Sequence, residues 1–182
     1  ADGGADRVLA VGRRPDRVVG DLDSLSDSAR SLGLDVTHDA DQDSTDCDKL
    51  LRLADSVGAS SITLACVEGG HLDHLLAVLA SAARSELGVR LALSTGLAWL
   101  LKGPGSWDVP TSPGRRVSLL PITRCEGVGL QGVRWELRNA TLDWLGLLSV
   151  SNRAEAPSVR ASLQSGCAVL FAQYEPHEVP FW

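Results

Sequence analysis

The sequence predicts an α/β domain followed by an all-β domain, and three observations carry that prediction. Over the first hundred residues, short β-like runs alternate with helical apolar stripes, the arrangement of a parallel sheet covered by helices. A cluster of breakers, Lys102-Gly103-Pro104-Gly105-Ser106 with Pro110, Pro113 and Gly114 behind it, then interrupts the alternation. Beyond it only short β-like runs remain. The expected domains are 1–103 and 108–182.

The elements follow in order. Residues 17–20 read as a strand ending at Asp21, and 27–32 as a short helix closed by Gly33. Residues 35–38 read as a second strand. From Cys47, apolar residues at Leu50, Leu51, Ala54 and Val57 give the stripe of an amphipathic helix, with Gly58 suited to its end. Residues 61–67 read as a buried strand, 72–87 as a long helix and 89–93 as a strand. After the breakers, 116–120, 128–137, 147–150 and 168–173 are β-like. A β domain of about 75 residues is small for independent stability, so packing on the first domain or on a partner copy is expected.

Composition excludes several classes. With 44% hydrophobic and 22% charged residues in 182, the chain has the material for one or two cores and is not wholly disordered. The longest apolar run, 75–83, is broken by Ser81 and falls short of the ~18–20 residues of a membrane span. The start has neither a basic segment nor an apolar one, so no secretion signal is expected. A net charge of −6 does not suit nonspecific duplex binding. Four widely spaced cysteines (Cys47, Cys66, Cys125, Cys167) fit neither a zinc knuckle nor a disulfide framework. Isolated buried thiols in a reducing cytoplasm are the expectation.

The acids are unevenly placed. Ten of 23, all aspartates, lie between Asp16 and Asp48, against only Arg17 and Arg30. An even spread would put roughly four there. Such a field either faces solvent or holds cations. Gly20-Asp21-Leu22-Asp23-Ser24 follows a predicted strand, where ligands of open α/β sheets bind. If extended geometry persists, Asp21 and Asp23 share one side and suit a hard cation such as Mg2+. An Asx-turn leading to a helix at Ser26 is the plain structural alternative.

Asp41-Gln42-Asp43-Ser44-Thr45-Asp46 precedes the Cys47 helix. Asp43 or Ser44 could serve as N-cap with Asp46 in the first turn, which accounts for one or two acids but not for three. A helix N-terminus also offers N–H groups to phosphate oxygens. Lys49, one of two lysines, is suited to a phosphate contact, or to a surface pair with Asp46. Glu68-Gly69-Gly70-His71-Leu72-Asp73-His74 again joins strand to helix, with glycines permitting close backbone approach and Asp73 or His71 available as a cap. His71 and His74 lack a third soft ligand for zinc.

Two matches mislead. Residues 127–132 spell G-x-G-x-x-G, but an alternating Val-Arg-Trp-Glu-Leu follows where a dinucleotide site needs a helix, so a β-hairpin or bulge is expected. Asn139-Ala140-Thr141 is a glycosylation sequon without a secretory context. No P-loop sequence is present.

Taken in order, these motifs resemble the thiamine pyrophosphokinase family. The matching blocks are Ala1-Asp2-Gly3-Gly4-Ala5, Gly20 to Ser24, Asp41 to Asp46, Gly69 to His74, Ser118-Leu119-Leu120-Pro121, Gly132-Val133-Arg134-Trp135 and Ser149-Val150-Ser151-Asn152. The resemblance implies an α/β nucleotide-binding domain followed by a β-sandwich, in a cytoplasmic homodimer. It implies Mg2+-dependent transfer of pyrophosphate from ATP to thiamine, giving thiamine diphosphate and AMP. Asp2, Asp21, Asp23 and Asp46 would hold Mg2+, and catalysis would rest on Asp21, Asp23, Asp43 and Asp46. Gly3, Gln42, Thr45, Lys49, Gly70 and Asp73 would border ATP and its phosphates. Trp135, Ser149, Ser151 and Asn152 would shape the thiamine site, reaching across the dimer interface. Either Asp46 or Asp43 would accept the thiamine hydroxyl proton. Trp135 has two open roles, stacking on thiamine or filling the sandwich core.

The sequence departs from the family pattern at several points. Asp6 stands where the family usually has Asn, and His71 where it has Arg, which removes a permanent cation. Cys47 replaces a larger apolar residue. The first block normally follows a strand and helix, and the chain has no methionine, so either a trimmed N-terminus or a sequence given without its first residues is expected.

Overall fold

The computed structural model describes residues 1–23, 25–68 and 71–175, with the backbone alone at position 2. Two compact units emerge: Ala1–Ile62 with Gly69–Gly88, and Thr63–Glu68 with Val89–Trp182. The class is mixed α/β, as the sequence predicts.

The first unit contains α1 (Asp2–Ala10), β1 (Val18–Gly20), α2 (Asp27–Arg30), β2 (Val36–His38), α3 (Asp46–Ser56) and α4 (Leu72–Arg84). Strands β1 and β2 pair in parallel, Val18 opposite Val36 and Gly20 opposite His38. The expected N-terminal parallel sheet is therefore two-stranded here. Its small core joins Ala5 of α1, Val18 of β1, Leu25, and Ala29 of α2. The Ala1–Ala5 block opens a helix that strand-and-turn reasoning did not mark.

The other helices keep near their expected bounds. Ser26 caps α2, accepting from the Ala29 N–H at 3.1 Å. Helix α3 ends before Gly58, whose φ of +80° is the left-handed conformation that glycine adopts without steric cost. On its apolar stripe Leu51 is buried, whereas Val57 is 66% exposed because it lies past the helix end. Among the described residues no helix is long and apolar enough to cross a membrane.

The second unit is built mainly from β4 (Gly88–Leu93), β5 (Gly96–Lys102), β6 (Gly105–Pro110), β7 (Arg116–Pro121), β8 (Cys125–Gln131), β9 (Leu137–Leu142), β10 (Ser149–Arg153), β11 (Ser158–Leu163) and β12 (Cys167–Gln173). Strand β3 (Ser61–Ala65) edges a six-stranded sheet ordered β10-β7-β12-β5-β4-β3, and a four-stranded sheet runs β6-β11-β8-β9. Alternation explains the core. Val117 and Leu119, Val128 and Leu130, Val159, Ala161 and Leu163, and Ala168, Leu170 and Ala172 recur every second residue and form one buried cluster.

Strand β4 was expected among the parallel strands, but it pairs antiparallel with β5, Arg90 opposite Trp99. Periodicity marks a strand without saying which sheet takes it, and a turn at Ser94-Thr95 sends the chain straight back. The run expected over 128–137 is two strands: β8 and β9 pair antiparallel with register shifts at Val128. The G-x-G-x-x-G segment is thus a bulged hairpin, as its alternation implies. Gly127 and Gly132 take φ of +61° and +78°.

Candidate active site

In the first unit, the acidic turn begins where β1 ends. Asp21 Oδ1 accepts from the Asp23 N–H at 3.3 Å, which is the Asx-turn alternative realised. Leu22 takes φ +70°, a left-handed conformation that costs roughly 1–2 kcal/mol for a residue with a Cβ. The Arg30 guanidinium holds the Leu22 carbonyl in place. Extended geometry therefore stops at Gly20, and the argument that Asp21 and Asp23 share one strand side does not apply. Asp21 is instead aimed by its contacts. Gln42 Nε2 donates to Asp21 Oδ2 at 3.2 Å, and Lys49 Nζ lies 3.7 Å from the same oxygen. The Asp23 N–H, then Gln42, and more weakly Lys49 hold the Asp21 carboxyl below its ordinary range, so it is ionised at neutral pH.

Lys49 is not a surface residue. It is 2% exposed, and its ammonium also lies 3.6 Å from Asp46 Oδ1. Two carboxylates from separate segments thus converge on one buried cation. The 39–44 loop is ordered by its own carboxylates. Asp39 Oδ1 accepts from the Asp41 N–H at 3.1 Å, and Asp41 Oδ1 from the Asp43 N–H at 3.0 Å. Arg52, one turn beyond Asp48 on α3, reaches Asp39 at 3.0 Å and Asp41 at 3.5 Å. The neighbouring N–H of Asp41, then Arg52, depresses the Asp39 carboxyl. The Ser44 hydroxyl, then the Asp43 N–H, depresses that of Asp41.

The cap of α3 corrects the expectation of Asp43 or Ser44. Thr45 is the N-cap: its hydroxyl accepts from the Asp48 N–H at 3.1 Å, and Asp48 Oδ2 accepts from the Thr45 N–H at 3.0 Å, a capping box. Helix α4 reinforces it. Arg84 donates to Asp48 Oδ1 at 2.8 Å, and the buried Ser81 hydroxyl lies 3.3 Å from that of Thr45. Burial pushes the Asp48 carboxyl up, but hydrogen bonds from Thr45, Ser81 and Arg84 outweigh it and leave the pKa at about 2. Burial, then the Asp48 charge, pushes the Cys47 thiol up to about 11. Asp48, Ser81 and Arg84 were absent from the sequence-derived site; the T-x-x-D capping pattern was the available signal for Asp48. Asp43 lines a groove of about 630 Å³ with Asp48, Arg52, Asp55, Ser81 and Arg84.

The remaining expected residues of this unit fall as follows. Gly3 lies in α1, which begins at Asp2. Asp73 sits in the first turn of α4 and accepts from the His74 N–H at 3.0 Å. His71 is the N-cap of α4 without a side-chain cap bond, and its ring stands edge-on to His74, centroids 5.9 Å apart. Asp6, at the Asn position, takes a hydrogen bond from the Ser26 hydroxyl at 2.5 Å, a role an acceptor oxygen fills in either residue. Gly70, Ser24 and the side chain of Asp2 lie outside the described residues. Among the described residues no three His, Cys, Asp or Glu side chains gather into a metal cage.

The second unit carries the other expected face. Trp135 is 58% exposed, which decides against a core role, and the Arg134 guanidinium lies 5.0 Å from its ring centroid. Ser151 is exposed, with φ +57° at a register shift between Ser149 and Asn152. The buried Ser118 hydroxyl fixes it by accepting from the Ser151 N–H at 3.0 Å. Ser149 and Asn152 are buried, at 8% and 3% exposure. Cys125 and Cys167 are buried as expected, whereas Cys47 is only half-buried and Cys66 is exposed.

Comparison with known proteins gives this arrangement its family. Residues 1–92 match the thiamin pyrophosphokinase catalytic domain, and residues 108–168 match the thiamin pyrophosphokinase vitamin B1 binding domain. The chain belongs to the thiamin pyrophosphokinase family. No curated protein matched it. It is similar to the thiamine pyrophosphokinase of Bacillus subtilis, with TM-score 0.81 and 23% identity over 94% of this chain and 85% of that one. It is similar also to that of Geobacillus thermodenitrificans (TM-score 0.78, 26% identity, 98% and 86% covered). The Candida albicans enzyme shares the fold at TM-score 0.80 and 17% identity, with 96% and 81% covered. The family is one of enzymes that make thiamine diphosphate, and the chain is a thiamin pyrophosphokinase by that membership.

Proposed function

We propose that this chain transfers the pyrophosphoryl group of ATP to the hydroxyethyl oxygen of thiamine with Mg2+, releasing AMP. The observation that carries the proposal is the convergence of Asp21 and Asp46 on the buried ammonium of Lys49, within the segment that matches the catalytic domain. Two carboxylates already arranged around a cation fit Mg2+, an ion that takes one or two carboxylates and completes its shell with substrate phosphates and water. Asp21, Asp46, Asp23 and Asp2 are the residues assigned to hold it. Bound there, Mg2+ would neutralise phosphate charge and act as Lewis acid.

The chain's own groups supply the rest. The thiamine oxygen attacks the β-phosphorus, and the bond to the α–β bridging oxygen breaks to release AMP. The hydroxyl proton passes to Asp46 or Asp43, which flank the N-terminus of α3. Gln42 and Thr45 border the phosphates, buried Lys49 acts through the Asp21 and Asp46 carboxylates it holds, and Gly3, Gly70 and Asp73 complete the ATP contacts. Such transfers depend on positioning and charge neutralisation more than on covalent chemistry. On the second unit, exposed Trp135 offers its ring to the cationic thiazolium, and Ser149 and Ser151 shape the surrounding surface. A homodimer would bring this face to a partner copy's phosphate site; exposed Trp135, Trp144 and Leu145 support that reading. The proposed setting is cytoplasmic.

The test is AMP formation from Mg-ATP by the full chain across a panel of alcohol acceptors, with product identified by mass. Thiamine-dependent AMP matched by thiamine diphosphate is expected. AMP release that prefers another acceptor, or thiamine binding without AMP, would refute it.

A further inference from the structure

Trp135 has no strand ladder to hold it, because it lies between the end of β8 at Gln131 and the start of β9 at Leu137. A single buried side chain takes the place of a ladder. Asn152 Nδ2 donates to the Trp135 carbonyl at 2.7 Å, and the Trp135 N–H donates to Asn152 Oδ1 at 3.1 Å. A carboxamide thus pairs with the N–H and the C=O of one residue, as a neighbouring strand would. Trp135 presents both a donor and an acceptor, so the opposite orientation of the amide would break both bonds, and the assignment follows from the partners. Oδ1 also accepts from the Arg153 N–H at 2.8 Å. Three of the four hydrogen bonds an asparagine can make are consumed by backbone. At 3% exposure, Asn152 has little surface to offer a ligand.

We propose that Asn152 is a positioning residue: it fixes the backbone of Trp135 so that the indole is presented to an aromatic cation, and it does not itself contact the ligand. Adjacent bonds serve the same segment. The Arg134 N–H donates to the Arg153 carbonyl at 2.8 Å, and Val133 bridges to Ala154, so the connector is also pinned just ahead of the indole. Orientation matters because a ring–cation contact is worth little unless the cation sits over the ring face. The inference rests on the proposed thiamine reading.

A double-mutant cycle separates positioning from direct contact. Thiamine affinity is measured by calorimetry for the wild-type chain, Trp135→Ala, Asn152→Ala and the double variant, with the KM for ATP and the Tm recorded for each. Trp135→Ala is expected to weaken thiamine binding by about 5–30-fold. Asn152→Ala should weaken it by a comparable factor alone but by less than about twofold once Trp135 is gone, with the ATP KM unchanged. An equal loss in both backgrounds would show direct contact and overturn the proposal. So would unchanged affinity in Trp135→Ala. Absence of thiamine binding by wild type would instead refute the underlying thiamine reading, a separate outcome. If Asn152→Ala does not fold, Asn152→Asp keeps both acceptor bonds, sets a carboxylate against the Trp135 carbonyl, and is expected to give the same pattern in the cycle.

Discussion

The Lys49 ammonium lies 3.7 Å from Asp21 Oδ2, joining the turn after β1 to the first turn of α3 from a position only 2% exposed. With Asp46 at 3.6 Å on the same cation, removing the charge leaves two carboxylates facing each other. Lys49→Met is expected to cost about 1–3 kcal/mol, less than for a fully buried pair because both carboxylates are partly solvated. Mg2+ should raise the Tm of Lys49→Met more than that of wild type, since the ion replaces the lost charge. Thermal melts with and without Mg2+ check this; an identical Mg2+ shift in both proteins would contradict it.

The hydrogen bonds accepted by Asp48, those of Thr45 foremost and then those of Ser81 and Arg84, set an acid-stability window. The folded Asp48 pKa is about 2, below its ordinary 3.8, so the folded state stabilises the ionised form. That contribution is present above about pH 4 and fades as pH falls towards 2. Asp48→Asn should therefore be less stable at pH 7 by about 1–2 kcal/mol, after allowance for screening, with the difference shrinking below pH 4. Denaturant melts across pH 2–7 measure it; a gap that does not vary with pH would refute the linkage.

Much of the site was legible because local chemistry agrees with local structure. The Asp21 turn, the Ser26 cap, the α3 stripe ending at Gly58 and the bulged hairpin at Gly127–Gly132 all follow from residues near one another in sequence. What was hidden depends on distant partners. From sequence Lys49 is either a phosphate contact or a surface partner of Asp46; its burial against Asp21, 28 positions earlier, shows only in the fold. Thr45, not Asp43 or Ser44, became the cap because Ser81 and Arg84 of α4 support Thr45 and Asp48. The antiparallel partner of β4 and the role of Asn152 likewise depend on tertiary pairing that no single window contains.

The G-x-G-x-x-G hairpin yields a prediction of its own. A Cβ at Gly132 would lie 2.6 Å from the Ser158 carbonyl oxygen, at φ +78°. Gly132→Ala should cost about 2 kcal/mol or more through backbone strain and overpacking. The KM for ATP of the folded fraction should be unchanged, because this segment forms a bulged hairpin rather than the strand–helix turn of a dinucleotide site. A raised ATP KM at unaltered Tm would give the motif the nucleotide role denied to it here.

Thiol chemistry tests burial. Cys47 and Cys125 are held at about 11 by burial, and burial also raises the Cys167 thiol. At pH 8 roughly one in a thousand molecules carries a thiolate at a site of pKa 11. Brief alkylation of the native chain, mapped by peptide mass, should therefore label exposed Cys66 first. Early labelling of Cys125 or Cys167 would contradict their burial in the second unit.

The central claim is that Asp21 and Asp46 form the phosphate-transfer site, and initial rates of thiamine diphosphate formation by Asp21→Asn and Asp46→Asn test it most directly. Each variant is expected to lose about 10²–10³-fold in turnover, the scale of removing one charge-stabilising group from a transition state, while its Tm stays near that of wild type. Wild-type turnover in both folded variants would contradict the account.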